Sequence, residues 1–407
     1  MDFFDQEAHA QKQTRRLLWL FSLAVLSVVF LAYFIFTSFA QIFEHPVVPE
    51  NWWNPMFLFC TAFLIYGTVL AHPIQFLESS WSFQIFFWST IGTLTLIAAG
   101  CLYKMRLLAG GGSAVAEMLG GRQIEDDPAD LKEKQLRDVV AEMAIASGMS
   151  MPEIYVLDCE RGINSFAAGH TREDVAIGVT FGAMKLLTRD ELQGVVAHEF
   201  SHVLNGDTRL NMKLMALAHG LSWPTIVGRV LVRGSAQPLG PDDSIFDPDS
   251  SPTLLPTAPI GILFLIMGSI SSPFVRFIKS MICREREWLA DAAAVQFTRN
   301  PAGIEGAFKK IGGLLKQGRM DSPYAEVASH LYFANSAFDP WFGFMSTHPP
   351  LPKRILAVDP AFDGQFHHIM SLPRQPLDDS QKTKGELLYE ENVRRAREQA
   401  QTREELE

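Results

Sequence analysis

The residues best suited to chemistry lie in the stretch VVAHEFSHVLNGD, from Val195 to Asp207. His198 and His202 stand four apart, so in a helix their imidazoles share one face, a turn from each other. Two imidazoles at that spacing can hold one zinc ion. Glu199, directly after the first, can reach a water on that ion rather than the ion itself. The chemistry so specified is hydrolysis, in which a metal polarises a carbonyl and a carboxylate moves a proton. The neighbours Val195, Val196 and Val203 are apolar, and two histidines and a glutamate left unused among them would cost stability.

A catalytic zinc takes three protein ligands and leaves one position for water. The third is expected from CREREWLADAAAV, Cys283 to Val295, where Glu287 and Asp291 are four apart and share a face. Glu287 is the expected ligand. Asp291 is expected to accept the free N–H of a ligand histidine and so fix its tautomer. Glu285 competes with Glu287, but it points roughly 200° away at about 3.6 residues per turn, so only one of them faces the metal. Two further residues, His348 and Arg354, admit two readings. One is a rigid Thr-His-Pro-Pro turn before a helix; the other is stabilisation of the oxyanion of a tetrahedral intermediate. Asn164 divides in the same way, into a turn residue or a donor to the substrate backbone. His219 reads as a local hydrogen-bonding residue, and His367 and His368 as solvated surface.

These residues need elements to hold them. Thr188-Arg189-Asp190-Glu191 is a capping box, which starts a helix that should run through Leu204 and stop at Asn205-Gly206. Leu136, Val139, Val140 and Met143 follow helical spacing, with Gly148 as a stop. PEIYVLD (152–158) and DVAIGVT (174–180) read as strands, and GINSFAAGH between them as a short strand or a turn. Residues 17–40 form an uncharged apolar run, and 83–103 a second; a bilayer core needs about 20 such residues. Basic residues flank both (Lys12, Arg15 and Arg16; Lys104 and Arg106), which by the positive-inside rule puts both flanks in the cytoplasm. Two weaker apolar runs follow the HEFSH segment, separated by an acidic, proline-rich loop. They read as a hairpin that returns the third ligand to the membrane face it left.

The expected fold class is mainly α with a small β-sheet: multi-span membrane helices plus a zincin-type metallopeptidase domain. An N-terminal membrane region covers 1–104, with 56–71 re-entrant or a further span. The metallopeptidase domain comes in two parts, 105–211 and 279–373, around a membrane hairpin at 212–278, and a charged tail, helical or disordered, covers 374–407. A net charge of −10 argues against nucleic acid as a partner. Cys60, Cys101, Cys159 and Cys283 are far apart with no CxxC pair, which speaks for isolated thiols.

HEFSHVLNGD, an apolar hairpin and then REWLAD together resemble the HtpX-type membrane zinc metallopeptidases, gluzincins related to the CAAX prenyl endoproteases. The resemblance covers roughly 110–360. It implies one zinc ion on His198, His202 and Glu287, with Glu199 as catalytic base. INSFAAG (163–169) resembles a family segment held to line the substrate cleft, and THPPLPKRI (347–355) a second family motif. Trp288 stands where the family often has Tyr or Phe, and Ser165 where Ala is common. The resemblance also implies a multi-pass protein of a bacterial inner membrane with a cytoplasmic catalytic domain. Its partners would be the bilayer and misfolded or damaged membrane proteins, in a quality-control role. The alternatives are a catalytically silent zinc-binding membrane adaptor and a CAAX-type processing protease.

Overall fold

Two short runs rich in β-branched residues make strands β2 (Glu153–Leu157) and β4 (Ala176–Thr180), and two further segments pair with them as β1 (Arg122–Gln123) and β3 (Ser165–Ala168). The computed structural model describes residues 15, 19–37, 82–233, 257–314, 318–320, 328–334, 346–369 and 372. Its helices are α1 (Trp19–Thr37), α2 (Phe83–Leu107), α3 (Gly111–Met118), α4 (Leu131–Ser147), α5 (Phe181–Leu186), α6 (Arg189–Leu204), α7 (Asp207–Arg233), α8 (Ala258–Thr298), α9 (Pro301–Gly313) and α10 (Leu351–Val358). The chain divides into two units. One comprises 1–14, 105–215 and 279–407, and the other 15–104 and 216–278.

The first unit is built on one mixed sheet, ordered β1-β2-β4-β3. The pairs β1–β2 and β3–β4 are antiparallel, while β2 and β4 run parallel with Val156 opposite Val179. Strand β3 is the segment left open between strand and turn, and it pairs Phe166 with Gly178. Both β3 and β4 are buried along their whole length. The core joins Leu136, Val139 and Val140 of α4 to Ile177 and Val179 of the sheet, Val195, Val196 and Phe200 of α6, and Phe308 of α9. Burial of each such large side chain stabilises by about 1.5–3 kcal/mol, so this face is what holds α6 in place.

Helix α6 begins and ends where its sequence says. The Thr188 hydroxyl accepts from the Glu191 N–H at 3.3 Å, and the Glu191 carboxylate accepts from the Thr188 N–H at 2.7 Å. Asn205 closes the helix, and Gly206 follows at φ +72°, where a side chain would be strained. The helix is crossed at close range by α9. A Cβ on Gly194 would stand 2.6 Å from the Ile304 backbone nitrogen.

Helices α1 (Trp19–Thr37) and α2 (Phe83–Leu107) lie on the segments 17–40 and 83–103 read as spans. Three described helices are long and apolar enough to cross a membrane: these two and Ile260–Thr298 within α8. Large apolar side chains such as Trp19, Phe30, Phe83 and Trp88 are more than 60% exposed, a surface that suits lipid and not water. The first arm expected over 212–278 lies in α7, where the apolar run carries His219, Pro224 and Arg229; the second lies in α8. The segment 56–71 and the tail 374–407 lie outside the described residues.

Candidate metal centre

Helix α6 turns His198, Glu199 and His202 toward β3 and α8, and all three are buried or nearly so. The two Nε2 atoms face each other at 3.1 Å. Glu287, on α8, completes the group: its Oε1 is 3.5 Å from His202 Nε2 and its Oε2 3.8 Å from His198 Nε2. Glu285, the competing acid, is exposed. Ligand atoms about 2.0–2.1 Å from one ion at the tetrahedral angle stand roughly 3.3 Å apart, so the observed spacings fit a single small cation. His198, His202 and Glu287 are the described residues that form such a group.

The electrostatics agree. Burial drives His198 down to about 4, although Asp291 and Glu287 pull the other way. Burial would depress His202 too, but the carboxylates of Asp207 and Glu287 outweigh it and lift that imidazole to about 10. Burial thus keeps the His198 imidazole neutral, while the carboxylates of Asp207 and Glu287 make the surroundings of His202 favour positive charge. Glu287 Oε2 and Glu199 Oε2 are buried without a hydrogen-bond partner among the described residues, and Arg354 Nη1 lies 3.3 Å from the former.

The two nitrogens that face away from this point are held by carboxylates. His198 Nδ1 lies 3.0 Å from Asp291 Oδ1, and His202 Nδ1 lies 2.9 Å from Asp207 Oδ2. Beside them, Glu199 accepts a 2.6 Å hydrogen bond from Ser165 Oγ of β3, and burial pushes its carboxyl up to about 7. The Phe333 ring meets His198 edge-on at 4.9 Å and stacks on Phe308 at 5.1 Å, which fixes the imidazole plane from a third side.

Three residues with proposed substrate or oxyanion roles are occupied otherwise. Asn164 is fully buried. Its two amide hydrogens go to the carbonyls of Gly318 and Ala334, and its oxygen accepts from the N–H groups of Ser165 and Ala334. A side-chain amide has two donors and two lone pairs, so nothing is left for a substrate. Arg354 donates twice to Asp291, at 2.6 and 2.8 Å, and once to the Phe333 carbonyl. Its guanidinium is fully buried, lies 4.3 Å over the Phe308 ring and comes within 3.3 Å of Glu287 Oε2. His348 approaches Glu287 Oε2 at 3.7 Å, yet its Nε2 is bonded to the Tyr332 carbonyl and its Nδ1 to Thr347 Oγ1. Burial lowers its pKa, so it stands as a neutral, internally bonded imidazole. The outer edge of β3, where an extended substrate could pair, is also in use, since the Phe333 N–H donates to the Ser165 carbonyl.

Asp207 and Arg286 were not anticipated. Arg286 Nη1 lies 2.8 Å from Asp207 Oδ1, and both side chains are buried. The available signals were an acid five residues past the second histidine and a cation directly before Glu287.

Comparison with known proteins adds an independent finding. The profile described as Peptidase family M48 matches residues 130–361. A protease HtpX homolog of Streptococcus uberis is 29% identical over 314 residues, which are 76% of this chain and 96% of the relative. One of Limosilactobacillus reuteri is 31% identical over 272 residues, 66% of this chain and 86% of the relative. The solved structure of Ste24p from S. mikatae aligns over 78% of this chain and 71% of its own, at 18% identity and a TM-score of 0.37.

Proposed function

This chain belongs to peptidase family M48, and from that premise we propose that it cleaves peptide bonds at the His198–His202–Glu287 centre, with zinc as the ion and Glu199 as general base. It is a membrane metalloprotease, and its substrates are polypeptides. The observation that carries the finer reading is a buried carboxylate, Glu199, with one oxygen free of hydrogen bonds, next to a group of three candidate ligands.

A bound divalent ion supplies Lewis acidity toward the scissile carbonyl and toward water. The chain supplies the rest. Asp291 and Asp207, which face the Nδ1 atoms of His198 and His202, favour the tautomer that leaves Nε2 free for the ion. Glu199 sits where it can take a proton from the attacking water through Oε2 and return it to the leaving amine. A pKa near 7 lets one carboxyl do both. Ser165 holds Oε1 and so sets which oxygen faces the reaction. On the same reading, the substrates are misfolded or damaged membrane proteins. The centre works on the cytoplasmic side of a bacterial inner membrane, a reading supported by bacterial relatives that are proteases and by three helices of spanning length.

The test uses the full chain in detergent with casein as an unfolded substrate. Wild type should cleave it, and a chelator should stop cleavage. Glu199→Gln should retain wild-type zinc content and lose at least about 100-fold in turnover. Residual turnover above a few per cent would remove Glu199 from this role. Zinc-loaded wild type that leaves casein intact would favour the silent adaptor.

A further inference from the structure

Each imidazole of the centre is backed by a carboxylate, and each carboxylate by a guanidinium. His198 leads through Asp291 to Arg354, and His202 leads through Asp207 to Arg286. We propose that Arg286 is a positioning residue for the centre. Acting through Asp207, it fixes the ring and tautomer of His202, and it locks the helix that carries the third ligand to the histidine pair. This rests on the reading of His198, His202 and Glu287 as metal ligands.

The geometry divides the work of Asp207 between two oxygens. Oδ2 faces His202 Nδ1 at 2.9 Å and Oδ1 faces Arg286 Nη1 at 2.8 Å, so the carboxylate cannot rotate without losing both. Asp207 is 4% exposed and Arg286 6%, so water does not compete for this pair. Without Arg286, one oxygen of Asp207 loses its partner and the carboxylate is free to turn, which leaves the ring and tautomer of His202 unfixed. The sequence position of Arg286 adds a second consequence. It directly precedes Glu287, and Asp291 follows one turn later. Within this short stretch of α8, Glu287 reaches the ligand point, Asp291 reaches His198 directly, and Arg286 reaches His202 through Asp207. The helix that donates the third ligand is therefore fastened to both histidines of α6, on either side of that ligand. Two buried ion pairs therefore add to helix packing in setting the spacing between the ligands.

The experiment compares Arg286→Ala, Arg286→Lys and Asp207→Asn in the full chain in detergent. Arg122→Ala serves as a control that breaks a salt bridge to Asp158 and Glu133 elsewhere in the same unit. Zinc dissociation constants are read by competition with a chromophoric chelator. kcat and KM on a peptide are read at saturating zinc, and the metal-free fold by far-ultraviolet circular dichroism and thermal midpoint. Arg286→Ala and Asp207→Asn should weaken zinc binding by about 10–100-fold. Each should lower kcat at saturating zinc with KM changed less than twofold, Arg286→Lys should fall between alanine and wild type, and Arg122→Ala should bind zinc as wild type does. Zinc affinity within twofold of wild type in Arg286→Ala, with a wild-type metal-free fold, overturns the proposal. If Arg286→Ala does not fold, the isosteric Asp207→Asn decides by the same criterion. His198→Ala and Glu287→Ala separate the two levels. If they bind zinc normally, the ligand reading has failed. If they lose zinc while Asp207→Asn and Arg286→Ala keep it, only the present inference has failed.

Discussion

Ser165 donates its hydroxyl hydrogen to Glu199 at 2.6 Å, so the carboxylate proposed as general base is held from the sheet side. Burial raises the Glu199 carboxyl to about 7, while this hydrogen bond favours the ionised form and works against burial. The base must be unprotonated to accept, so the acid limb of kcat/KM reports its deprotonation. Removing the bond in Ser165→Ala raises the pKa, which moves that limb to higher pH. The variant should lose activity several-fold below neutrality and keep wild-type activity on the alkaline side, as read from a full pH profile. An acid limb that does not move would show that Ser165 has no part in tuning the base. At this scale the ligands were legible because helical phase alone separates Glu287 from Glu285, and local spacing pairs His198 with His202. Asn164, Arg354 and Asp207 were not legible in the same way. Their partners (Gly318 and Ala334; Phe333 and Phe308; Arg286) lie tens to well over a hundred residues away, and no local spacing encodes them.

Helix α6 works as a mount because three neighbours grip it: α4, α9 and strand β3. Its ends were written into the sequence as a reciprocal cap and an Asn-Gly stop, both of which act over four residues or fewer. The crossing with α9 was not, because it depends on two glycines that read as neutral in a helical pattern. A Cβ on Gly194 would meet the backbone nitrogen of Ile304 at 2.6 Å, and one on Gly303 the carbonyl oxygen of Asp190 at 2.5 Å. Backbone cannot rotate out of the way as a side chain can, so Gly194→Ala must push the helices apart. We expect destabilisation of about 1–3 kcal/mol, seen as a lower thermal midpoint of the detergent-solubilised protein. Since α9 also carries Phe308, which supports Phe333 and Arg354, the same variant should bind zinc more weakly. A wild-type midpoint would mean that α6 and α9 do not approach here as described. Strand β1, only two residues long, gave no periodic signal to read, whereas β2 and β4 are continuous β-branched runs that did.

At the scale of the whole chain, the pattern that matters is the alternation of two kinds of sequence. Stretches 105–215 and 279–407 belong to the unit that holds the centre, and 15–104 and 216–278 to the unit rich in exposed apolar helix. Apolar runs and basic flanks made that alternation visible in the sequence. The number of spans was less visible, because the apolar run of α7 is interrupted by His219, Pro224 and Arg229, whereas α1 carries no charge. The proposal that the centre lies on the cytoplasmic side rests on basic residues at both ends of the N-terminal membrane region, and it can be tested with a thiol the chain already has. Cys159 is exposed, while Cys283 is buried and Cys101 intermediate. Cys159 lies just past β2, in the unit of the centre. A membrane-impermeant maleimide applied to spheroplasts should leave Cys159 unlabelled, and the same reagent after lysis should label it. Cys159→Ser identifies the band by its loss. Labelling of Cys159 in intact spheroplasts would put the centre on the outer face, and the basic flanks would then have been misread as cytoplasmic anchors.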